Sequence, residues 1–182
     1  MKSYDYAHRQ GVLELSWQDI AALSRQLAEQ LADSHVQAVV GLARSGLFPA
    51  TLLACYLRVE LYPARLTRRL NDQVVRETPV WITPICPQVA GKVTAIVDEI
   101  ADSGQTLHMA AESARQLGAA QVITASLVAH SWADPMPEVC ALVSDAFVIF
   151  PWDRQVLIGG KWLPHPEIQS ALQQQGLPPM EP

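Results

Sequence analysis

The sequence lacks a long apolar run: no stretch of its 182 residues approaches the roughly 18 uninterrupted apolar residues that a membrane helix needs. The first 30 residues carry charges throughout an amphipathic pattern, which differs from the apolar region of a secretory signal. We therefore expect a cytoplasmic protein without a membrane partner. Apolar residues make up 49% of the chain, enough for the core of one domain of ordinary size.

The sequence is also poor in cysteine. Cys55, Cys86 and Cys140 are odd in number and far apart, and their spacing fits no zinc site. Free cysteine is among the most often buried residue types. We therefore predict three reduced, mostly buried thiols.

A surplus of basic residues is absent as well. The chain has 13 Lys and Arg against 18 Asp and Glu, a net charge of -5, so we expect no nucleic-acid partner. One local cluster of arginines is either a solvated face or a group gathered around an anionic small molecule. Its members are Arg58, Arg65, Arg68, Arg69 and Arg76.

The sequence does contain an alternation of helical and β-branched segments. A helix is predicted over 16–33, where Ser16 and Asp19 resemble a capping box. Strands alternating with helices favour a parallel sheet covered on both faces. The predicted strands are 36–43, 58–66, 92–100, 120–130 and 145–152, the helices 46–57 and 106–119; 72–86 is either a hairpin or a partly ordered loop, and 176–182 is expected to fray.

Three acids mark the end of the clearest predicted strand, in the stretch AIVDEIADSGQTL. Asp98 and Glu99 close the strand, and Asp102 follows three residues after Glu99. Ligands of open parallel sheets bind beyond the carboxyl ends of the strands. The acids suit hydroxyl groups, or a Mg²⁺ ion lying between such hydroxyls and a pyrophosphate. The alternative is that the pair only ends a strand and Asp102 caps a helix.

The residues after the acids form a turn into the next predicted helix. Backbone N–H groups at a helix N-terminus point outward with partial positive charge, which favours a phosphate. Ser103 and Thr106 add hydroxyl donors, and Gly104 lets the backbone approach a phosphate closely. The whole string therefore indicates a sugar phosphate, with its phosphate in the turn and its ribose hydroxyls on the acids.

The string VTAIVDEIADSGQTL resembles the motif with which type I phosphoribosyltransferases bind phosphoribosyl pyrophosphate (PRPP). The resemblance implies an α/β fold: a single domain over 1–182 with a mostly parallel twisted sheet, flanking helices and a small hood. The motif-bearing core covers 36–153, between the N-terminal helix and a C-terminal tail, 154–182.

The resemblance also implies roles for the acid motif. Asp98 and Glu99 bind the ribose and, indirectly through substrate or water, Mg²⁺, the expected cofactor. Asp102 is the catalytic residue that handles the proton on the purine N7, and its alternative role is helix capping. The phosphate-binding set is Ala101, Asp102, Ser103, Gly104, Gln105 and Thr106.

A second string, VVGLARSGLFPATLLA, is similar to the pyrophosphate loop of this family, usually written strand, Arg-Gly-Gly, helix. Here Arg44, Ser45 and Gly46 occupy the loop, with a side chain where the second residue is usually Gly. Arg76, in the segment that matches the mobile catalytic loop, is expected to help hold the pyrophosphate. The alternatives are an ordinary strand-to-helix turn and a solvated charged loop.

A third string, FVIFPWD, looks like the end of bacterial xanthine-guanine phosphoribosyltransferases, where an aromatic residue stacks on the purine. Phe147 and Val148 are therefore expected to contact the base, although Phe147 alternatively belongs to the core. The 6-oxopurine enzymes usually place a Lys after the preceding strand, where this chain has His130. His130 either donates to the base or is a loop residue without such a role.

The function implied is that of a Mg²⁺-dependent glycosyltransferase of purine salvage. It would transfer the phosphoribosyl group of PRPP to a nucleobase, a 6-oxopurine by resemblance, and work as a homo-oligomer. One alternative is a non-catalytic PRPP-binding regulator on the same fold. Another is a phosphohydrolase with a nucleophilic Asp early in the chain, for which Asp5 and Asp19 lack the setting.

Overall fold

The computed structural model describes Arg9 and residues 11–70 and 73–180, so Asp5 lies outside the described residues. The strands are β1 Val12–Glu14, β2 Ala38–Leu42, β3 Glu60–Thr67, β4 Arg69–Leu70, β5 Gln73–Val74, β6 Val80–Thr83, β7 Val93–Ala101, β8 Gln121–Ala129, β9 Val139–Val143, β10 Phe147–Ile149, β11 Gln155–Ile158 and β12 Lys161–Pro164. The α-helices are α1 Trp17–Gln30, α2 Leu47–Leu57, α3 Gln105–Gln116 and α4 Pro166–Gln174.

The chain divides into two compact units, one from Ile20 to Ser144 and one formed by the described residues up to Asp19 together with those from Asp145 onward. The larger unit contains a six-stranded sheet in the order β6-β3-β2-β7-β8-β9. All its strands are parallel except β6, which pairs antiparallel with β3. This confirms the predicted mostly parallel sheet. The organisation of the whole chain as one domain stays a prediction.

The centre of the sheet is apolar because β2, β7 and β8 are buried on both faces. In this arrangement β2 pairs with β7, so that Val40 lies beside Ile96. A Cβ on Gly41 would lie 2.7 Å from the Ala50 Cβ and 2.9 Å from Leu47 Cδ2, which allows α2 to pack closely on β2. The carboxyl ends of β2 and β7 therefore lie side by side, and α2 and α3 begin just beyond them.

The smaller unit has its own apolar cluster. Strand β1 pairs in parallel with β10, and β11 and β12 form an antiparallel hairpin. Ile149, Ile168 and Leu172 are buried together, with Met180 packed against them. The Met180 carbonyl also accepts a hydrogen bond of 3.1 Å from Gln169 Nε2. The prediction that the tail frays is therefore wrong as far as Met180.

Several predicted boundaries shift. Strand β7 continues to Ala101, so the acid pair lies within the strand and not at its end. The strand predicted over 145–152 is reduced to β10, since the chain turns after Ile149 and Asp153 N–H donates to the Phe150 carbonyl at 3.0 Å. The ambiguous segment 72–86 holds strand β5, which pairs with β4, and the edge strand β6. Strands β9, β11 and β12 and helix α4 were not predicted.

The three cysteines are free, as predicted. The prediction that they are mostly buried is wrong, because Cys55 is exposed and Cys86 and Cys140 are partly exposed. Across the described ranges, the model contains no helix both long and apolar enough to cross a membrane.

Candidate active site

The acid pair of β7 forms a strongly interacting group. Asp98 and Glu99 both retain some exposure, and Asp98 Oδ1 accepts a hydrogen bond of 3.0 Å from the Glu99 N–H. Burial of the carboxyl, and then the negative charge of Glu99, raise the pKa of Asp98 well above its usual value. Two carboxyls this close attract hydroxyl donors and cations, since either reduces their mutual repulsion.

Gly46 brings the second motif into contact with this pair. A Cβ on Gly46 would lie 2.7 Å from Asp98 Oδ1, 2.9 Å from Asp98 Cα and 2.5 Å from the Leu42 carbonyl oxygen. Two of these atoms belong to the backbone, so a larger residue does not fit without a shift of the chain. The absence of a side chain at Gly46 therefore places the turn of Arg44 and Ser45 beside the first acid.

The turn itself accommodates a residue where the family usually has Gly. Ser45 is partly buried, Arg44 is exposed, and the peptide bond between Ala43 and Arg44 is cis. The Leu47 N–H donates to the Arg44 carbonyl at 3.1 Å and the Phe48 N–H to the Ser45 carbonyl at 3.1 Å. The turn is thus the hydrogen-bonded start of α2, directly beyond the carboxyl end of β2.

Helices α2 and α3 begin without side-chain caps. Their N-cap residues are Gly46 and Gly104, neither helix has a capping side chain, and neither has an acid in its first turn. The first N–H groups of a helix have no intrahelical carbonyl partner and carry roughly half a positive charge together. Two helix ends suited to anions therefore flank the acid pair.

The loop between β7 and α3 is held by a neighbouring loop. Gly104 has φ +79°, and a Cβ there would overlap the Pro135 carbonyl oxygen. The Asp134 N–H donates to the Ser103 carbonyl at 3.1 Å. The structure shows that Gly104 serves the packing of these two loops, while its predicted role in the approach of a phosphate stays a prediction.

The other predicted phosphate-binding residues differ in exposure. Ala101 is buried at the end of β7, where its carbonyl accepts the His130 N–H at 3.0 Å. Ser103 is exposed, and its Oγ accepts a hydrogen bond of 3.4 Å from the Gln105 N–H. Gln105 and Thr106 lie partly exposed in the first turn of α3. Phosphate binding by these residues stays a prediction, and the buried Ala101 has only its backbone to contribute to it.

Asp102 lies against two aromatic rings that follow β8. Trp132 Nε1–H donates a long hydrogen bond of 3.4 Å to Asp102 Oδ1, and His130 Nε2 lies 3.8 Å from the same oxygen. The two rings stack with their centres 4.4 Å apart and 17° between their planes. His130 Nδ1 lies 2.6 Å from the Ser144 carbonyl oxygen, and the side chain is only 3% exposed.

These contacts place His130 in a buried position beside the expected catalytic acid. Contact of His130 with a base stays a prediction, as does the alternative that it is a loop residue without such a role. Trp132 was not predicted. The signal that could have found it is its place two residues beyond His130, after a strand that neighbours β7.

The remaining predicted site residues are Arg76, Phe147 and Val148. Arg76 follows β5; its N–H donates to the Arg68 carbonyl at 3.2 Å, and its Nη1 is buried without a hydrogen-bond partner among the described residues. In the smaller unit, Phe147 and Val148 lie on β10 beside Val12 and Leu13 of β1. Phe147 is partly buried and packs against that unit's apolar cluster. Pyrophosphate binding by Arg76 and base contact by Phe147 and Val148 stay predictions.

The described residues provide a limited donor set for a metal. They include no group of three or more His, Cys, Asp and Glu side chains that could hold an ion. Mg²⁺ demands about six oxygen ligands and usually keeps several waters. The acid pair fits such an ion only where waters and substrate oxygens complete its coordination, and binding of Mg²⁺ there stays a prediction.

Asp19, considered above as a nucleophile, has a different position. Its N–H donates to Ser16 Oγ at 3.2 Å, while its Oδ2 accepts from Ser16 N at 2.8 Å and from Ser16 Oγ at 2.6 Å. This confirms the capping box at the start of α1. The contacts make Asp19 a structural residue.

Comparisons with known proteins agree with this arrangement. A family model described as "Phosphoribosyl transferase domain" matches residues 12–157. The chain is 28% identical over 156 residues to a xanthine-guanine phosphoribosyltransferase of Chromohalobacter salexigens, covering 85% of this chain and 90% of the relative. It is 29% identical over 168 residues to an enzyme of the same name from a Ruegeria species, covering 80% and 87%.

The fold is also similar to that of solved structures. The crystal structure of a purine phosphoribosyltransferase from Pyrococcus horikoshii superposes with a TM-score of 0.71 and 27% sequence identity. The match covers 82% of this chain and 99% of that chain.

Proposed function

The chain belongs to the phosphoribosyl transferase domain family, and on that premise we propose that it transfers the 5-phosphoribosyl group of PRPP to a 6-oxopurine and releases pyrophosphate. The observation that carries the proposal is the contact of Gly46 with Asp98. It joins the turn at the start of α2 to the acid pair of β7. Two anion sites and a hydroxyl site thereby lie at one edge of the sheet, which matches the chemical groups of PRPP.

In this proposal each part of PRPP has its own partner. The N-terminal turn of α3, with the loop residues Ser103 and Thr106, binds the 5-phosphate. The turn of Arg44 and Ser45 binds the pyrophosphate through backbone N–H groups. The ribose hydroxyls donate to Asp98 and Glu99, whose closely spaced carboxyls gain from each donor.

The reaction separates charge, and the site is prepared for that separation. Positive charge grows on the sugar as the bond to pyrophosphate breaks, and negative charge grows on the leaving group. In this proposal the acid pair faces the positive charge on the sugar, and the positive end of α2 faces the negative charge on the leaving pyrophosphate. Groups that are oriented before the reaction stabilise such charges effectively. Mg²⁺, when bound, would supply further positive charge to the pyrophosphate oxygens. Asp102 accepts the proton of the attacking purine nitrogen.

The proposed base follows from the relatives. Two of them are named xanthine-guanine phosphoribosyltransferases, and a similar solved structure is named a purine phosphoribosyltransferase. We therefore propose xanthine, guanine or hypoxanthine as the acceptor, with Phe147 stacking on the ring. The usual Lys is replaced by His130, so the preference among the three bases is the part of the proposal most in need of measurement.

A cytoplasmic location and a homo-oligomeric state complete the proposal. Both follow from the sequence and the family. Cell fractionation measures the location, and light scattering on the purified protein measures the oligomeric state. A monomeric enzyme with full activity would contradict the proposed oligomer without affecting the proposed reaction.

The direct test is a panel of bases. Purified protein with Mg²⁺ and PRPP is incubated with xanthine, guanine, hypoxanthine or adenine, and pyrophosphate release is measured. We expect release with at least one 6-oxopurine and little with adenine. PRPP binding without release for any base would contradict the proposed transfer and favour a regulator that binds PRPP.

A further inference from the structure

We infer that His130 and Trp132 are positioning residues, which hold the Asp102 carboxylate in the direction from which it takes the proton of the attacking base. The inference deepens the proposed function and rests on it, because Asp102 has this task only in phosphoribosyl transfer to a base. It starts from a juxtaposition: the loop after β8 places two rings against the acid that follows β7.

Both rings contact the same carboxylate oxygen. Trp132 Nε1–H donates to Asp102 Oδ1 at 3.4 Å, and His130 Nε2 lies 3.8 Å from that oxygen. The terminal torsion of an Asp side chain has no strong intrinsic preference, so a carboxylate without such contacts samples a broad range of orientations. Two contacts at Oδ1 restrict this rotation, and the direction of Oδ2 is set at the same time.

The rings themselves are held in place. His130 is 3% exposed, whereas the Asp102 side chain is 25% exposed and Trp132 47% exposed. His130 Nδ1 lies 2.6 Å from the Ser144 carbonyl oxygen, and its ring stacks on Trp132 at 4.4 Å. The rigid member is therefore the buried His130, and the more exposed Asp102 is oriented against it.

The orientation of His130 also matters for the proton. A carbonyl oxygen only accepts, so Nδ1 carries the hydrogen that it donates to Ser144. Nε2 is then the ring nitrogen that faces Asp102, 3.8 Å from Oδ1, and it attracts the carboxylate when it carries a proton. In the transfer, the N–H bond of the base breaks, its electron pair stays on the base nitrogen, and the proton forms an O–H bond on Asp102. Oδ2, whose direction the two ring contacts at Oδ1 set, is the oxygen that receives it.

The first test separates the two nitrogens of His130. In His130→Asn the amide nitrogen takes the position of Nδ1, so the donor to Ser144 is retained and the group facing Asp102 is lost. We expect kcat to fall roughly 10- to 100-fold, as for a misplaced reacting group, while the KM for PRPP stays the same. The matched control is His35→Asn, at an exposed residue with φ 51°, which Asn tolerates well; it should leave both constants unchanged.

The second test removes the indole donor alone. Trp132→Phe keeps an aromatic ring to stack on His130 and deletes the N–H that reaches Asp102. Loss of one hydrogen bond to a charged group predicts about a tenfold lower kcat. Because Trp132 is about half exposed, this variant tests the inference even where His130→Asn destabilises the fold, which a melting curve would reveal.

The third test asks whether the rings act through Asp102. Asp102→Asn removes the proton acceptor, and adding His130→Asn or Trp132→Phe to it should then cost no further activity. Losses that multiply would overturn the inference, because independent sites are additive in free energy. A raised KM for PRPP with unchanged kcat would also overturn it. If the wild-type protein shows no turnover, the proposed function is wrong and the inference that rests on it is wrong too. If the wild-type protein is active and the His130 and Trp132 variants are as active as the wild type, the inference alone is wrong.

Discussion

The four α-helices of the described residues begin in two different ways. Helices α1 and α4 have side-chain caps: Ser16 and Asp19 form a capping box, and His165 Nδ1 accepts the Glu167 N–H at 3.2 Å. Both also carry an acid in the first turn. Helices α2 and α3 have glycine N-caps, which provide no capping side chain, and no first-turn acid; at α3 the only side-chain contact described is the long bond of 3.4 Å from the Gln105 N–H to Ser103 Oγ.

This contrast follows the position of each helix. A side-chain cap typically stabilises a helix by about 0.5–2 kcal/mol, and a first-turn acid adds to it. At α2 and α3 the N-cap residue makes no such bond and the first turn has no acid, and these are the two helices that follow β2 and β7 at the edge with the acid pair. An uncapped N-terminus keeps its N–H groups and its positive charge for a ligand anion. The absent caps are therefore part of the proposed site.

The largest predicted effect concerns the contact that joins the two open helix ends. Gly46→Ala places a methyl group within 2.9 Å of two backbone atoms and of Asp98 Oδ1, so the turn or the acid must shift. A shift of this size in a reacting site lowers kcat/KM by about 100-fold. Pyrophosphate release under limiting PRPP measures the loss.

The matched control adds the same methyl group in open space. Gly91 has φ +73°, and its added Cβ meets nothing within 4 Å. Gly91→Ala should therefore lower the melting temperature because of backbone strain alone and leave kcat/KM unchanged. If Gly46→Ala behaved in the same way, the contact with Asp98 would have no part in catalysis.

An intermediate effect is expected from adding a negative charge to an open helix end. Gln105→Glu adds a negative charge to the first turn of α3 and leaves the size of the side chain almost unchanged. The new carboxylate repels the 5-phosphate and competes for the helix N-terminus, which predicts an approximately tenfold higher KM for PRPP. Initial rates at several PRPP concentrations and at two ionic strengths measure it, because screening should reduce the difference.

The same substitution at a capped helix provides the control. Gln18→Glu places a carboxylate in the first turn of α1, which already contains Asp19. It should leave the KM for PRPP unchanged. An equal rise in KM for both variants would show that the effect comes from net charge and not from the open end of α3.

The sequence predicted the central strands and the turns after them better than the outer elements, for physical reasons. Strongly apolar strands and the turns after them are local signals, so β2, β7 and the loops around Gly46 and Gly104 were located from the residues themselves. The match of the family model to residues 12–157 confirms the resemblance and the fold class. Strands β11 and β12 were missed because their exposed apolar residues give no alternating pattern, and 161–164 ends in proline.

Contacts between segments that are distant in the sequence could not be predicted from it. A side chain at position 104 would overlap the carbonyl oxygen of Pro135, a residue 31 positions later in the sequence. The positions of His130 and Trp132 against Asp102 depend on the pairing of β7 with β8 and on the course of the following loop. The burial of His130 likewise depends on Ser144, which follows β9. These are tertiary facts that strand and helix periodicity does not encode.

The smallest predicted effect returns to a capped helix. Ser16→Ala removes the side-chain cap of α1, at a typical cost of about 1 kcal/mol, and lowers the melting temperature by about 2–4 °C at neutral pH. Ser16→Thr retains a capping hydroxyl, so its melting temperature should be close to that of the wild type. Neither variant should change the KM for PRPP, because the proposed PRPP site includes no residue from the first turn of α1.

The difference between wild type and Ser16→Ala should also depend on pH. The side-chain hydrogen bond from Ser16, and then the backbone one, lower the pKa of Asp19. A carboxyl whose pKa is lowered by folding stabilises the protein above its unfolded pKa, and this contribution is lost as the pH falls through the folded pKa. The gap in melting temperature should therefore be constant near neutrality and narrow at pH values below the usual Asp pKa of about 4. A gap that stayed the same in acid would mean that Ser16 stabilises α1 through its own bond to the Asp19 N–H and not through the Asp19 carboxylate.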